Sequence, residues 1–134
     1  MTTEQIRGHV IGLFEAFLAG DLDTLKAGRS LDWKGFQIKS TRLVRGVDDY
    51  MTELRRVMGG LKVDRYEFLE FDVDLYADIA LVFHVARDHL SRAPGDDGPE
   101  TVLIRSLDVY RESGGEWTQI ASNICAIHDD VARD

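Results

Sequence analysis

The spacing of hydrophobic residues changes once along the chain, from a helical period to a period of two. Before Lys62, hydrophobic residues recur every three or four positions, which places them on one face of a helix. This spacing predicts a first helix that ends at Gly20, a short second helix capped by Asp21, and a third between Gly46 and Gly59. The predicted buried stripes are Ile6, Val10, Leu13, Phe14, Phe17 and Leu18, then Leu22 and Leu25, then Val47, Tyr50, Met51, Leu54, Val57 and Met58.

After Lys62, hydrophobic and polar residues alternate as they do in strands with one buried face. The pattern predicts four strands, at 63–76, 79–90, 101–112 and 116–127, in addition to a short extended segment at 32–38. Prolines, glycines and adjacent aspartates predict a loop at 91–100, and Ser113-Gly114-Gly115 predicts a three-residue hairpin. Helices followed by long antiparallel strands predict an α+β fold that forms a single domain, residues 1–134.

Composition limits the classes of partner. The chain has 134 residues with 16 Lys+Arg and 24 Asp+Glu, a net charge of −8 without a basic cluster, so we expect neither a nucleic-acid nor a membrane partner. The single cysteine, Cys125, excludes an internal disulfide and a thiolate metal site. The spacing of His and acidic residues fits no metal motif, and no phosphate-binding loop is present, so we expect no metal and no cofactor. The start of the chain lacks the pattern of a secretion signal, and we expect a cytoplasmic protein.

Several short segments together resemble one known superfamily. They are Gly20-Asp21 after the first helix, Arg45-Gly46 before the third, Asp78-Ile79-Ala80-Leu81-Val82, and Leu107-Asp108-Val109-Tyr110 leading to Gly114-Gly115-Glu116-Trp117. In order and spacing they resemble the nuclear transport factor 2-like (NTF2-like) superfamily, which includes ketosteroid isomerase and SnoaL-type cyclases. The resemblance implies a cone in which a strongly curved mixed or antiparallel sheet wraps around the N-terminal helices. It also implies a hydrophobic pocket between the helices and the concave sheet face.

Strand alternation and this resemblance assign residues to the pocket. The resemblance puts Asp108 on the pocket face together with Ser106 and Tyr110, and Trp33 and Gln37 share a face that also lines it. On the strand at 79–90 we expect the more apolar face to line the pocket, namely Ile79, Leu81, Phe83, Val85, Arg87 and His89. A three-residue hairpin would turn Ile120, Ser122 and Ile124 inward, whereas a hairpin one residue different would turn Trp117, Gln119, Ala121, Asn123 and Cys125 inward.

The predicted surroundings of Asp108 suggest an acid/base role. Burial near Leu81 and Phe83 would raise its pKa, so that a protonated carboxyl group could donate a hydrogen bond to a carbonyl oxygen. Other catalytic residues of ketosteroid isomerase are not carried over, because Gln37 stands at the position of its base and Leu13 at that of its tyrosine. We therefore expect a small apolar ligand in the pocket. The class of reaction would be a cofactor-free isomerase, cyclase or dehydratase acting on an apolar carbonyl compound. Asp108 would be catalytic, Tyr110, Gln37 and Ser122 would orient the substrate, and Arg87 and His89 would lie at the mouth.

A second hypothesis is a non-catalytic module for ligand binding or dimerisation, and the sequence does not decide between the two. A homodimer through the convex face of the sheet is compatible with both. The residues predicted for that interface are Leu107, Val109, Ala121, Val82 and Trp117.

Overall fold

The computed structural model describes residues 2–60, 62–91 and 101–128. Its elements are α1 (Thr3–Ala19), α2 (Leu22–Ala27), β1 (Arg29–Phe36), β2 (Val44–Arg45), α3 (Val47–Gly60), β3 (Val63–Tyr76), β4 (Ile79–Leu90), β5 (Thr101–Ser113) and β6 (Glu116–His128). The three predicted helices and four long strands are confirmed. The extended segment begins three residues earlier than predicted, and the two-residue β2 was not predicted. Most of the predicted loop at 91–100 lies outside the described residues.

Local side-chain chemistry sets the ends of α1 and α2. The Thr2 hydroxyl accepts a hydrogen bond from the Gln5 backbone, while the Gln5 side chain accepts one from the Thr2 backbone, so both ends of this capping box are satisfied. Gly20 then ends α1 in the left-handed conformation, with φ 69°. Asp21 caps α2 through the backbone N–H of Thr24. No helix in the described part of the chain is both long enough and apolar enough to cross a membrane.

The strands form a six-stranded mixed sheet in the order β2-β1-β6-β5-β4-β3. Among the described residues the β1–β6 pair is the only parallel one, and the chain passes through α3 and four strands before β6 returns beside β1. The helices pack on one face of this sheet, and the core contains residues from all three of them, including Val10, Leu25 and Leu54. This arrangement confirms the predicted α+β class.

The face of β4 beneath the helices carries small side chains. Ala80, Val82 and Ala86 are fully buried there, whereas Phe83 on the opposite face is 40% exposed. The prediction that the bulkier face of β4 points inward is therefore wrong. The small side chains on this face are fully buried, and the larger Phe83 projects from the opposite face instead.

The β5–β6 hairpin combines the two alternatives that the sequence left open. Its turn has two residues, Gly114 and Gly115, with φ 60° and 83°, and not the predicted three. A bulge follows, because Tyr110 pairs with Gln119 but Val109 pairs with Ala121.

The extra residue in this bulge is Ile120, and it reverses which side chains of β6 point inward. Before the bulge, Trp117 and Gln119 are buried, as the second alternative predicts. After the bulge, Ser122 and Ile124 face the helices, as the alternative with a three-residue hairpin predicts.

Gly35 permits the close approach of β1 to β6. A methyl group at this position would overlap the carbonyl oxygen of Ser122 and lie 2.9 Å from Cη2 of Trp33. We expect Gly35→Ala to lower the free energy of unfolding by about 2–4 kcal/mol, because backbone must move to admit the methyl group. Urea denaturation followed by circular dichroism measures this change.

Gly12→Ala is the matched control. Gly12 lies within α1, and a methyl group there meets no atom within 4 Å. This substitution should leave the stability unchanged or raise it by up to about 1 kcal/mol, since alanine favours the helix. Equal stabilities of the two variants would contradict the close packing at Gly35.

Candidate active site

A cavity of about 110 Å³ lies between the helices and the sheet. Most of its wall is apolar and comes from every layer of the fold: Leu13, Phe14, Phe17, Leu18, Leu25, Ile38, Leu54, Val57, Val63, Ile104 and Ile124. The remaining lining side chains carry polar atoms: Arg29, Trp33, Gln37, Tyr50, Tyr66, His84, Asp88, Ser106, Asp108, Tyr110, Gln119 and Ser122. A combination of apolar surface and polar groups is typical of small-molecule sites.

Half of the predicted site residues meet in this cavity. Asp108, Trp33, Gln37, Tyr110 and Ser122 all line it. They come from β1, the segment after it, β5 and β6, so the curvature and pairing of the sheet bring together residues that are far apart in sequence.

The other predicted site residues do not line the cavity: Leu81, Phe83, Arg87, His89 and Ile120. The first four project from the opposite face of β4, because Val82 is the residue that pairs with Asp108. On that face the side chains of Arg87 and His89 contact Glu67 of β3 at 3.3 and 3.4 Å. Ile120 is removed from the lining by the bulge in β6.

Two titratable residues of β4 take their place. His84 and Asp88 lie on the buried face and line the cavity, and they are 3% and 9% exposed. Because the sequence analysis assigned the alternate residues of this strand to the pocket, it implied that these two side chains point to the convex side, which is wrong. One sequence signal could have identified them: on this face of β4 two titratable side chains interrupt a series of small apolar residues. Burying such side chains destabilises the fold, so their presence indicates a functional role.

The Asp108 carboxylate is surrounded by hydrogen-bond donors. Its Oδ2 lies 2.9 Å from Nε2 of His84, and its Oδ1 accepts hydrogen bonds of 2.5 Å from the hydroxyl groups of Ser106 and Ser122. The three partners come from β4, β5 and β6, so the carboxylate links three neighbouring strands.

These donors reverse the predicted pKa shift of Asp108. Burial acts to raise its pKa, but the hydrogen bond and positive charge of His84, together with the two serine hydroxyls, outweigh burial and lower it. The prediction of a protonated, hydrogen-bond-donating Asp108 is therefore wrong. An ionised carboxylate accepts hydrogen bonds only, so Nε2 of His84 carries the proton in this pair.

The His84 ring is held among aromatic side chains. Phe71 stacks on it with 6.0 Å between centroids, and Phe14 and Phe68 approach it edge-on at 5.3 and 5.7 Å. Its Nδ1 is buried and has no hydrogen-bond partner among the described residues. A ring in the neutral form, with its proton on Nε2, would have an unused lone pair on Nδ1.

A second hydrogen-bonded chain fixes Tyr110. The Trp33 indole N–H donates to Oε1 of Gln119 at 3.0 Å, and Nε2 of Gln119 donates to the Tyr110 hydroxyl at 3.0 Å. Burial and the negative charge of Asp108 raise the pKa of Tyr110, so its hydroxyl stays neutral. No hydrogen bond in the described part of the chain uses the Tyr110 proton, which is therefore available to an oxygen atom in the cavity.

Asp88 has the opposite environment from Asp108. Its Oδ1 is buried and has no hydrogen-bond partner in the described part of the chain. Burial raises its pKa from 3.8 to about 6, and the charges of His84 and His89 offset only part of this effect. The cavity thus contains one carboxyl group with three hydrogen-bonding partners and one whose buried oxygen has none.

The cavity offers no evident place for a metal ion. Within residues 2–60, 62–91 and 101–128, no three His, Cys, Asp or Glu side chains come together as ligands.

Comparison with known proteins identifies the fold. No model of a known protein family matches the sequence, and neither does any curated protein. Among solved structures, a ketosteroid isomerase-like protein from Erwinia carotovora superposes with a TM-score of 0.74 at 22% identity, covering 91% of this chain and 93% of that one. An NTF2-like protein from Cytophaga hutchinsonii gives 0.71 at 16% identity, covering 95% and 100%. The chain has the NTF2-like fold. A further NTF2-like protein of unknown function, from Pseudomonas putida, agrees with this result at 0.71 and 21% identity, covering 97% and 92%.

The NTF2-like fold confirms the resemblance read from the sequence, including the cone architecture in which the sheet curves around the helices. It does not by itself assign a reaction, because one fold supports many functions. The function of this NTF2-like chain has to be argued from the side chains in its cavity.

The raised pKa of Asp88 predicts an unusual dependence of stability on pH. Between its unfolded value of 3.8 and its folded value of about 6, the folded chain binds more protons than the unfolded chain, so stability falls as pH rises through this window. We expect Asp88→Asn to be more stable than the wild type at pH 7.5, by up to about 3 kcal/mol, and to lose this advantage as pH falls from 6 to 4. Urea denaturation across this pH range measures the difference.

Asp72→Asn is the control, because Asp72 is exposed on β3. Its substitution should change stability little at any pH in the series. A destabilised Asp88→Asn at pH 7.5 would show that the Asp88 carboxylate has a favourable partner after all.

Proposed function

We propose that the cavity is the active site of a cofactor-free enzyme that transfers a proton on an apolar carbonyl compound, with His84 as the general base. The observation that carries this proposal is the buried, unpartnered Nδ1 of His84 on a ring whose Nε2 is held by the ionised Asp108. Asp108 is then a positioning residue and not the acid that its sequence context suggested. The fold shared with a ketosteroid isomerase-like protein supports the same class of chemistry.

The first step moves a carbon-bound proton to His84. The lone pair on Nδ1 removes a proton from the carbon atom next to the substrate carbonyl group. The electrons of the broken C–H bond then form the enolate. The imidazole becomes an imidazolium ion, which the negative Asp108 stabilises through the existing hydrogen bond of 2.9 Å. Ser106 and Ser122 keep the carboxylate in place during this step.

The enolate oxygen needs a hydrogen-bond donor, and Tyr110 is the group that can supply one. It lies two residues from Asp108 on the same face of β5, and the chain from Trp33 through Gln119 fixes its hydroxyl. A preorganised donor in a cavity with an apolar wall stabilises developing negative charge more than water does. Return of the proton from His84 to another carbon atom completes an isomerisation, and enolate formation is also the first step expected of a cyclase or dehydratase.

The role of His84 can be tested with 5-nitrobenzisoxazole, an apolar aromatic compound that releases a coloured phenolate when a base removes its carbon-bound proton. We expect the wild type to accelerate this reaction, and His84→Gln to lower kcat/KM by roughly 100-fold or more, the usual contribution of a positioned base. Asp108→Asn should also lower kcat/KM and shift the pH at which the rate rises, because it changes the basicity of the imidazole. Absorbance assays across pH 5–9 measure both effects.

His89→Gln is the matched control, since it removes a histidine from the opposite face of the same strand and should leave the rate unchanged. Circular dichroism checks that each variant is folded. A His84→Gln variant as active as the wild type would contradict the proposal. Binding of the compound by the wild type without turnover would also contradict it, and would favour the ligand-binding module instead.

We also propose that the outer face of the sheet forms a homodimer, a role that one specific observation favours. Phe83 and Leu107 are direct cross-strand partners there and remain 40% and 38% exposed, which is unusual for large apolar side chains that lie side by side. Leu107, Val109 and Ala121 share this face, as predicted. Val82 and Trp117 are wrong as interface residues, because both are buried in the core beneath the helices.

Substitution of Phe83 tests the proposed interface. We expect the wild type to sediment as a dimer, and Phe83→Lys to raise the dimer dissociation constant by at least roughly tenfold, because a buried apolar contact would be replaced by a charge. Leu31→Lys is the control, since Leu31 is 84% exposed on β1 and away from this face. Sedimentation equilibrium distinguishes the variants, and a wild type that remains monomeric at every concentration measured would exclude the dimer.

A further inference from the structure

The proposed proton transfer leaves Asp88 without a role, although burying this residue destabilises the fold. Its side chain is nine-tenths buried and lines the cavity, and its Oδ1 has no hydrogen-bond partner among the described residues. A carboxylate placed in an apolar wall loses its hydration, and only a paired cation or a set of donors compensates for that loss. The raised pKa of about 6 reflects the missing compensation, yet at neutral pH the group is mostly ionised.

The cationic side chains that line the cavity or act on Asp88 have other partners in the described structure. Arg29 lines the same cavity, but its guanidinium stacks over the Tyr50 ring at 4.6 Å and donates to the carbonyl oxygen of Leu25. His84 uses Nε2 for Asp108, and His89 contacts Glu67 on the other face of the strand.

The surroundings of Asp88 favour a positive charge. Tyr66 is its direct partner on β3, and Phe14 packs against Tyr66 with 4.9 Å between ring centroids. Both rings line the cavity, and aromatic faces attract cations. The Tyr66 hydroxyl donates to the carboxylate of Glu15, an exposed residue outside the cavity lining, so a second negative group lies beside this ring. The net charge of −8 acts in the same direction over longer distances.

We propose that Asp88 anchors the protonated amino group of a small apolar amine, whose apolar body occupies the rest of the cavity. An ammonium group satisfies both the hydrogen-bonding capacity and the charge of the carboxylate, whereas a hydroxyl group satisfies only the first. Charge-assisted hydrogen bonds are about twice as strong as neutral ones. The inference uses the cavity but does not depend on whether His84 acts as a base.

A pair of probes with the same carbon skeleton tests the proposal. Isothermal titration calorimetry at pH 7.5 compares 2-phenylethylammonium with 2-phenylethanol, which differ only in the charged group. We expect the wild type to bind the ammonium compound at least roughly tenfold more tightly. Asp88→Asn should abolish this preference while it retains the affinity for 2-phenylethanol, because the asparagine keeps the shape of the side chain and removes its charge.

Two further variants make the result specific. Asp72→Asn removes one exposed negative charge and should retain the preference, which separates a local contact from the field of the whole chain. His89→Gln, on the opposite face of β4, should also retain it, and the proton-transfer assay of His84 is a separate experiment, so the amine site and the proposed base can fail independently. Equal affinity of the wild type for the two probes, a preference that survives in Asp88→Asn, or binding of neither probe would each overturn the proposal.

Discussion

The pairing of β4 with β5 is the constraint on which the rest of the site depends. The register runs without interruption from Ile79 opposite Arg111 to His89 opposite Thr101. Because side chains alternate between the two faces of a strand, this register places His84 beside Ser106 on the face that carries Asp108. A shift of one residue in β4 would move His84 and Asp88 to the outer surface of the sheet. The Asp108 carboxylate would then lose its hydrogen bond to His84.

An irregularity in β6 is as important as the regular pairing of β4. In a regular strand, Gln119 and Ser122 would point to opposite faces of the sheet. Because the bulge adds Ile120, both side chains face the helices. Gln119 connects Trp33 to Tyr110, and Ser122 holds Asp108, so the two polar networks of the cavity meet on this strand. Without the extra residue, only one network could face the helices. Bulges often reorient side chains beside functional sites in this way.

The two aspartates of the cavity show how environment divides the roles of identical groups. Asp108 is the more deeply buried, yet three donors keep its pKa low. The buried Oδ1 of Asp88 has no hydrogen-bond partner within residues 2–60, 62–91 and 101–128, and the pKa of Asp88 rises to about 6. Burial alone would shift both pKa values in the same direction, so the hydrogen bonds decide the difference. One carboxylate is therefore suited to orient a histidine, and the other to receive a charge from outside the protein.

The sequence by itself determined the features that depend on neighbouring residues. Caps such as Asp21 and Gly20 mark the helix ends, and alternation marks the long strands, because both signals act over a few positions. The resemblance to NTF2-like proteins added the placement of Asp108 and Tyr110 on the inner face. Tertiary structure alone decided which face of β4 points inward, since both faces carry hydrophobic residues and alternation cannot choose between them. It also decided the direction of the Asp108 pKa shift, because the donors that set it come from three strands whose register no local pattern encodes.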